Sequence, residues 1–369
     1  MFSTDPLLFQ SGSDVQKRFQ DYGNYCEFLS VIAYSKITVP EKTNLSSKII
    51  IHAAVGDSIW RRCKNAYRIG IRILQQDKFE VISAQDPFET GVISWLLARK
   101  FKIPLQIQVH TDFFSHYFFK ESWKNRVRVW CGKFLLPKAK QIRVVSERIK
   151  KSLIAWNPLL QNKIVMLPIF VDVKKIQSAK IKQDLNNRYP EFNFRILTAA
   201  RISREKNIGL LLQSVAPLIK EDKQLGIVIV GDGPEQEQLK KTAQELNIES
   251  NIRFEPMTTD LVSFFKTANL FVITSNYEGY GRTAVEAMAA GVPVVMTDVG
   301  VAGELLIDDL DGLVVPVGDC IRLTEAIRVL LKDQAKRENL KNEAMKVVQS
   351  LPDKEQYLKN YFNVLSKII

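Results

Sequence analysis

Two carboxylates eight positions apart, Glu278 and Glu286, flank the run Gly279-Tyr280-Gly281-Arg282-Thr283. On one continuous helix, eight residues would separate them by about 12 Å and rotate them by roughly 80°. They could not then hold one small ligand between them. Gly279 and Gly281 place the helix start near Arg282 instead. Glu278 then sits on the preceding loop, and Glu286 lies one turn inside the helix. The unpaired N–H groups of such a start suit a phosphate. A phosphate with a carboxylate on either side points to a sugar nucleotide as ligand.

A second pair carries the opposite charge. Arg201 and Lys206 lie in AARISREKN (199–207), between an apolar run and a helical pattern. Cations are disfavoured at a helix amino end unless an anion binds there. Gly231-Asp232-Gly233-Pro234 is a turn of the ordinary strand-to-helix kind, with Pro234 suited to the first helical turn. His110 follows the apolar run 105–109 and so stands at the end of a strand. A lone histidine can equally be a satisfied structural residue, and His52 and His116 are read that way.

The elements that must position these groups alternate. The first half reads as strands over 29–35, 48–53, 81–84, 105–109 and 141–145, with helices over 14–25, 60–75, 90–100 and 123–136. The second half reads as strands over 194–199, 226–230, 252–254, 270–274, 294–297 and 312–315. Its helices fall over 207–220, 234–246, 258–267, 282–290 and 320–332. This pattern means two doubly wound α/β domains, and ligands of such sheets bind beyond the carboxyl ends of the strands, here in a cleft between the two. The expected division is 1–172, 173–352 and a final helix, 353–369. Residues 1–3 leave little room for the opening strand of the first domain, so that strand is expected to be very short or clipped.

With 369 residues, two domains are the default. No apolar run reaches the roughly 20 residues of a membrane span, and residues 1–20 lack the apolar core of a signal peptide. The four cysteines are scattered without a Cys-x-x-Cys, and the three histidines lie far apart. A reduced, cytoplasmic enzyme without metal or other cofactor is expected. The net charge of +12 resolves into +16 over 1–200 and −4 over 201–369. Residues 113–151 hold eleven basic and two acidic side chains among many aromatics. Phe118, Phe119, Trp123, Lys124, Arg126, Arg128 and Lys133 form a candidate contact with an anionic bilayer, which would make the protein peripheral on the inner face of the membrane. The plainer reading is a solvated helix face with ordinary core aromatics. Nucleic acid is set aside, because no binding motif accompanies the patch.

With these motifs the chain resembles the retaining GT-B glycosyltransferases of the "group 1", or family-four, type. The resemblance is strong over about 195–320 and weaker over 1–172. It implies two Rossmann-like domains facing a cleft, with the last helix crossing back to the first domain. It also implies transfer of a hexose from a nucleotide diphosphate sugar to a hydroxyl of a saccharide or lipid-linked acceptor, in glycan or polysaccharide biosynthesis. In the family the second glutamate, here Glu286, binds the ribose, and the first, Glu278, contacts the donor sugar. Arg201 and Lys206 match the Arg-x4-Lys pair that clamps the diphosphate, with Ala200 where the family usually has glycine. Gly231 lines the donor side, and the backbone near Arg253 and Phe254 holds the base. His110 matches a histidine near the donor sugar. Gly12 matches a loop that often has two adjacent glycines and here has one. Rival readings on the same fold are a sugar-nucleotide epimerase, a phosphorylase, or a non-catalytic binding protein.

Overall fold

A computed structural model describes all residues from Met1 to Ile369. The chain divides into two compact units. The first comprises Met1–Phe114, Ser122–Pro168 and Lys354–Ile369, and the second comprises Ser115–Glu121 and Ile169–Asp353.

The first unit is built on β1 (Phe2–Ser3), β2 (Leu29–Ser35), β3 (Lys42–Asn44), β4 (Ile49–Val55), β5 (Ile82–Ala84), β6 (Leu105–Val109), β7 (Gln141–Val144) and β8 (Ile164–Met166). They form one sheet in the order β3-β4-β2-β1-β5-β6-β7-β8. All pairs are parallel except the β3–β4 hairpin at one edge. The opening strand is present but only two residues long, wedged between β2 and β5. The sequence pattern missed β3, whose three residues carry no apolar face, and β8.

The second unit carries β9 (Phe194–Ala199), β10 (Leu225–Val230), β11 (Ile252–Glu255), β12 (Leu270–Ile273), β13 (Val294–Thr297) and β14 (Leu313–Val315). All are parallel, in the order β11-β10-β9-β12-β13-β14. β9, β10, β12 and β13 are buried along their whole length, which is why they read as continuous apolar runs rather than alternating ones. Their core packs against the helix Ile208–Glu221 through Leu211, Val215 and Ile219, all fully buried.

Topology fixes where ligands can meet this second sheet. From β9 the chain steps to β10 on one side, while β12 lies on the other. Loops leaving β9 and β12 therefore part in opposite directions, opening a crevice at their carboxyl ends. The Arg201–Lys206 segment leaves β9 and the Glu278 segment leaves β12. In the first unit β1 occupies the same kind of switch point, between β2 and β5.

The C-terminal helix Lys354–Ser366 lies in the first unit. Tyr361 stacks on Tyr22 with ring centroids 5.1 Å apart, and Lys354 pairs with Asp21 at 2.6 Å. The short helix His116–Glu121 belongs, by contrast, to the second unit, although its neighbours in sequence belong to the first. Phe118 there is only 4% exposed and meets the Tyr277 ring edge-on. The Tyr277 hydroxyl donates to Glu121, and the helix packs against the turn Arg204–Lys206. Phe118 is thus a packing residue, not the exposed membrane contact that the composition suggested.

Candidate active site

The crevice of the second sheet gathers most of the groups that the sequence singled out. The chain after β9 turns through Ser203 into the 3-10 turn Arg204–Lys206, and Asn207 adopts a left-handed conformation before the helix Ile208–Glu221. Hydrogen bonds stitch this loop to the one leaving β12. Thr274 Oγ1 donates to the Lys206 carbonyl (2.9 Å), the Asn276 amide to the Glu205 carbonyl (2.7 Å), and Asn207 Nδ2 to Asn276 Oδ1 (3.1 Å). Lys206 Nζ lies 2.5 Å from Glu278 Oε1, with the side chains 22% and 16% exposed. Ser275 Oγ donates to the same carboxylate oxygen at 2.8 Å. Arg201 is exposed at the head of the loop. Ser275, Asn276 and Tyr277 escaped the sequence reading, though they immediately precede Glu278.

Beyond Glu278, the helix Arg282–Ala290 starts where the glycines implied. Gly281 is its N-cap at φ +83°, and no side chain caps the first turn. The Ala284 amide bonds back to the Gly281 carbonyl at 2.9 Å, and the amides of Arg282 and Thr283 before it suit a ligand or solvent. Thr283 is half-buried in that turn. Glu286 accepts from Arg282 Nε at 2.7 Å one turn in. Burial pushes its carboxyl above the usual range, and Arg282 partly offsets the effect. Tyr280 is a correction: at 2% exposure its ring is core, and its carbonyl is occupied by the Val301 amide. The Tyr280 ring is therefore not presented to a ligand.

On the other flank of β9, the turn after β10 is moulded to the Arg201 loop. The Ile202 amide donates to the Asp232 carbonyl at 2.9 Å, and the Glu235 amide to the Ile202 carbonyl at 3.2 Å. A Cβ on Gly231 would stand 2.0 Å from the Ala200 carbonyl oxygen, and one on Gly233 2.1 Å from that of Ile202. The two glycines thus admit the backbone that carries Arg201. Pro234 lies in this turn, and the helix begins only at Gln236. On β11, the Arg253 guanidinium is bound to Glu191 (2.7 Å) and to the Ser250 carbonyl (2.8 Å). Its side chain is therefore structural, and Phe254 is half-buried, so any ligand contact on this strand falls to the backbone.

Two further candidate residues belong to the first unit. Gly12 sits at φ +74°, and its amide donates to Gln16 Oε1 at 3.1 Å, closing a turn that Ser13 continues as N-cap of the helix Asp14–Tyr22. His110 follows β6, with Nε2 3.0 Å from Gln108 Oε1. That oxygen also accepts from Arg143 Nη1 at 2.7 Å, while Gln108 Nε2 donates to Ser83 and to Tyr361 on the C-terminal helix. The amide orientation is thereby set, so Nε2 of His110 carries the proton and Nδ1 is left as an acceptor. Burial, then Arg143 and Arg18, push the imidazole pKa down to about 3. An unfolded histidine titrates near 6.5. Between those values the unfolded chain binds a proton that the folded chain refuses, so stability falls as pH falls from about 6.5 towards 3. Urea unfolding of a His110→Asn variant should show a shallower decline across that window. Equal slopes in variant and wild type would refute the neutral buried imidazole.

A sequence model of the glycosyl transferases group 1 matches residues 180–347, and one of glycosyltransferase family 4 matches residues 45–175. Alpha-monoglucosyldiacylglycerol synthase of Streptococcus pneumoniae is 28% identical over 239 residues, covering 61% of this chain and 53% of that protein's length. Among solved structures, sucrose-phosphate synthase of Thermosynechococcus elongatus superposes with a TM-score of 0.85 at 19% identity, covering 100% of this chain and 98% of the other. Anabaena HepE, solved in complex with UDP-glucose, gives 0.78 at 18% identity and 99% coverage of both chains. Two parallel-sheet Rossmann-like units with charged loops at the switch point of the second define the GT-B class of glycosyltransferase. Residues 180–347 thus match the glycosyl transferases group 1 and residues 45–175 match glycosyltransferase family 4, and the chain is a glycosyltransferase of this type.

Proposed function

We propose that the protein transfers a hexose, with retention of configuration, from a nucleotide diphosphate sugar to a hydroxyl of a saccharide or lipid-linked acceptor. The observation that carries this reading is the Lys206–Glu278 pair ahead of an uncapped helix start one turn before Glu286, with the exposed Arg201 on the same loop as Lys206. In this reading the first amides of the helix and the two cations hold the diphosphate, Glu286 accepts from the ribose hydroxyls, and Glu278 orients the sugar. His110 accepts from a sugar hydroxyl through Nδ1. The acceptor oxygen bonds to the anomeric carbon on the face that the phosphate leaves. The departing phosphate oxygen takes the acceptor's proton, and the cations neutralise the charge that develops on it. The UDP-glucose complex of HepE and the diacylglycerol-derived product in the pneumococcal enzyme's name support a nucleotide sugar and a lipid acceptor. No helix is long and apolar enough to cross a membrane. Peripheral attachment to an anionic membrane is part of the proposal, supported by the basic, aromatic helix Trp123–Leu135.

Initial rates with UDP-, GDP- and ADP-hexoses test the reading, with nucleotide affinity measured across pH. A Glu286→Ala variant should bind nucleotide sugar about tenfold or more weakly, the loss of a charged hydrogen-bond acceptor. Wild-type affinity should fall on acidification at a higher pH than an ordinary glutamate would dictate, since the carboxylate must ionise to accept. Nucleotide sugar consumed to an epimer without acceptor would replace transfer with epimerisation.

A further inference from the structure

The exposed face of the helix Trp123–Leu135 is more ordered than its composition required. Trp123, Val127, Trp130 and Phe134 recur at spacings of four, three and four, one stripe along the helix, and all are exposed, the two tryptophans 69% and 78%. The opposite face is accounted for, since Val129, Gly132 and Leu135 are buried. A Cβ on Gly132 would already lie 2.8 Å from the Phe113 ring. Lys124, Arg126 and Lys133 flank the stripe and are exposed, whereas Arg128 is committed to Glu89 at 2.8 Å.

At its lower end the stripe meets a cavity. The Phe134 ring stands edge-on to Trp95 at 5.4 Å, and Lys138 Nζ lies 3.9 Å above Phe134. Trp95 lines a surface cavity of about 370 Å³ together with Arg99, Lys138, Lys140 and Lys163. No acidic residue lines it. Lys163 is spent partly on the Pro137 and Ala139 carbonyls, at 2.7 and 3.0 Å, which fixes the turn that carries Lys138 and Lys140. The cavity opens at the amino ends of β6 and β7, through Leu105 and Lys140. His110 stands at the other end of β6, so this site is separate from the proposed chemistry.

We propose that the stripe and the cavity are one docking site for an anionic phospholipid bilayer, the aromatics entering the interfacial layer and the four cations taking a lipid phosphate. The charge complementarity is one-sided, four cations without a counter-ion around a concavity of headgroup size. The adjoining Trp and Phe side chains have the amphipathic character that favours the bilayer interface. This inference rests on the membrane attachment proposed above and assigns its residues.

Cosedimentation with vesicles of phosphatidylcholine alone, or with phosphatidylglycerol added, tests it. The wild-type protein should bind only the anionic vesicles and lose binding as salt is raised. A Lys138→Ala/Lys140→Ala variant should bind about tenfold or more weakly, and Trp130→Ser/Phe134→Ser should be similarly impaired. A control variant, Lys223→Ala/Lys241→Ala, carries the same charge change on the second unit and should bind as wild type. Equal losses in the control and pocket variants would reduce the effect to net charge and overturn the site, leaving membrane attachment intact. Failure of the wild type to bind anionic vesicles would overturn both, as would binding to single-stranded RNA in its place. Competition by inorganic phosphate as effective as that by soluble short-chain phosphatidylglycerol would reassign the cavity to a free anion and sink the lipid assignment.

Discussion

A Lys206→Ala variant is expected to turn over nucleotide sugar at least about a hundredfold more slowly, the usual cost of removing one preorganised donor from developing phosphate charge. The loop geometry makes this more than the loss of a surface lysine. Lys206 is held from below, its carbonyl bound to Thr274 and its neighbour Asn207 to Asn276, so its ammonium is delivered to one place. That place is 2.5 Å from Glu278. Removing the lysine leaves a largely buried carboxylate with Ser275 as its remaining neutral donor. The stability cost is about 1–3 kcal/mol, below that of a fully buried pair because both side chains keep some contact with water. The two effects separate in the double variant Lys206→Ala/Glu278→Gln. Neutralising the orphaned carboxylate should restore most of the midpoint in urea, while turnover stays low because the phosphate still lacks its cation. Initial rates and unfolding curves on the same preparations provide both readouts. Turnover of the single variant within about threefold of wild type, against the loss expected for such a donor, would remove Lys206 from the chemistry.

How much of this was legible in the sequence depends on the range of the interaction concerned. The start of the helix Arg282–Ala290 was, because glycine is the residue that takes a left-handed N-cap without cost, and Gly281 does so. The fully apolar runs of β9, β10, β12 and β13 were, since a strand buried on both faces cannot alternate. Contacts distant in sequence were not. Nothing local marks Phe118 as a partner of Tyr277, 159 positions away, so it read like its exposed neighbours Phe119 and Trp123. Tyr280 was misjudged for the opposite reason. It lies inside the most informative motif, yet its ring is buried and its carbonyl accepts from the Val301 amide, a contact from a later loop that nothing in the motif announces. The glutamines of β6 would ordinarily signal a solvent-facing side. Here Gln106 and Gln108 are buried and satisfied by Gln141, Ser83 and Tyr361, the last contributed by the far end of the chain. That network sets the tautomer of His110, and no pattern within reach of His110 foretells it.

Gly231→Ala should be among the most damaging single methyl additions to this protein. The residue sits at φ +141°, a region closed to alanine, and its new Cβ would lie 2.0 Å from the Ala200 carbonyl oxygen. Conformational strain and collision together are expected to cost about 3–5 kcal/mol, and the colliding partner is backbone, which cannot swing aside as a side chain would. Comparison with other glycines separates the two contributions. Gly12 also has positive φ, but nothing lies within 4 Å of its Cβ position, so Gly12→Ala should show strain alone, about 1–2 kcal/mol. Gly209 is helical and its nearest neighbour would be Leu239 at 3.9 Å, so Gly209→Ala should be neutral or stabilise by about 0.5–1 kcal/mol. Thermal unfolding of the three variants should therefore rank Gly209→Ala above Gly12→Ala above Gly231→Ala. The displaced Ala200 backbone leads directly into Arg201 and, through Ile202, into the turn that positions Lys206. Any Gly231→Ala protein that folds should for that reason bind nucleotide sugar poorly even at temperatures where it is fully native. Unchanged stability and unchanged affinity would show that the turn after β10 does not shape the phosphate loop.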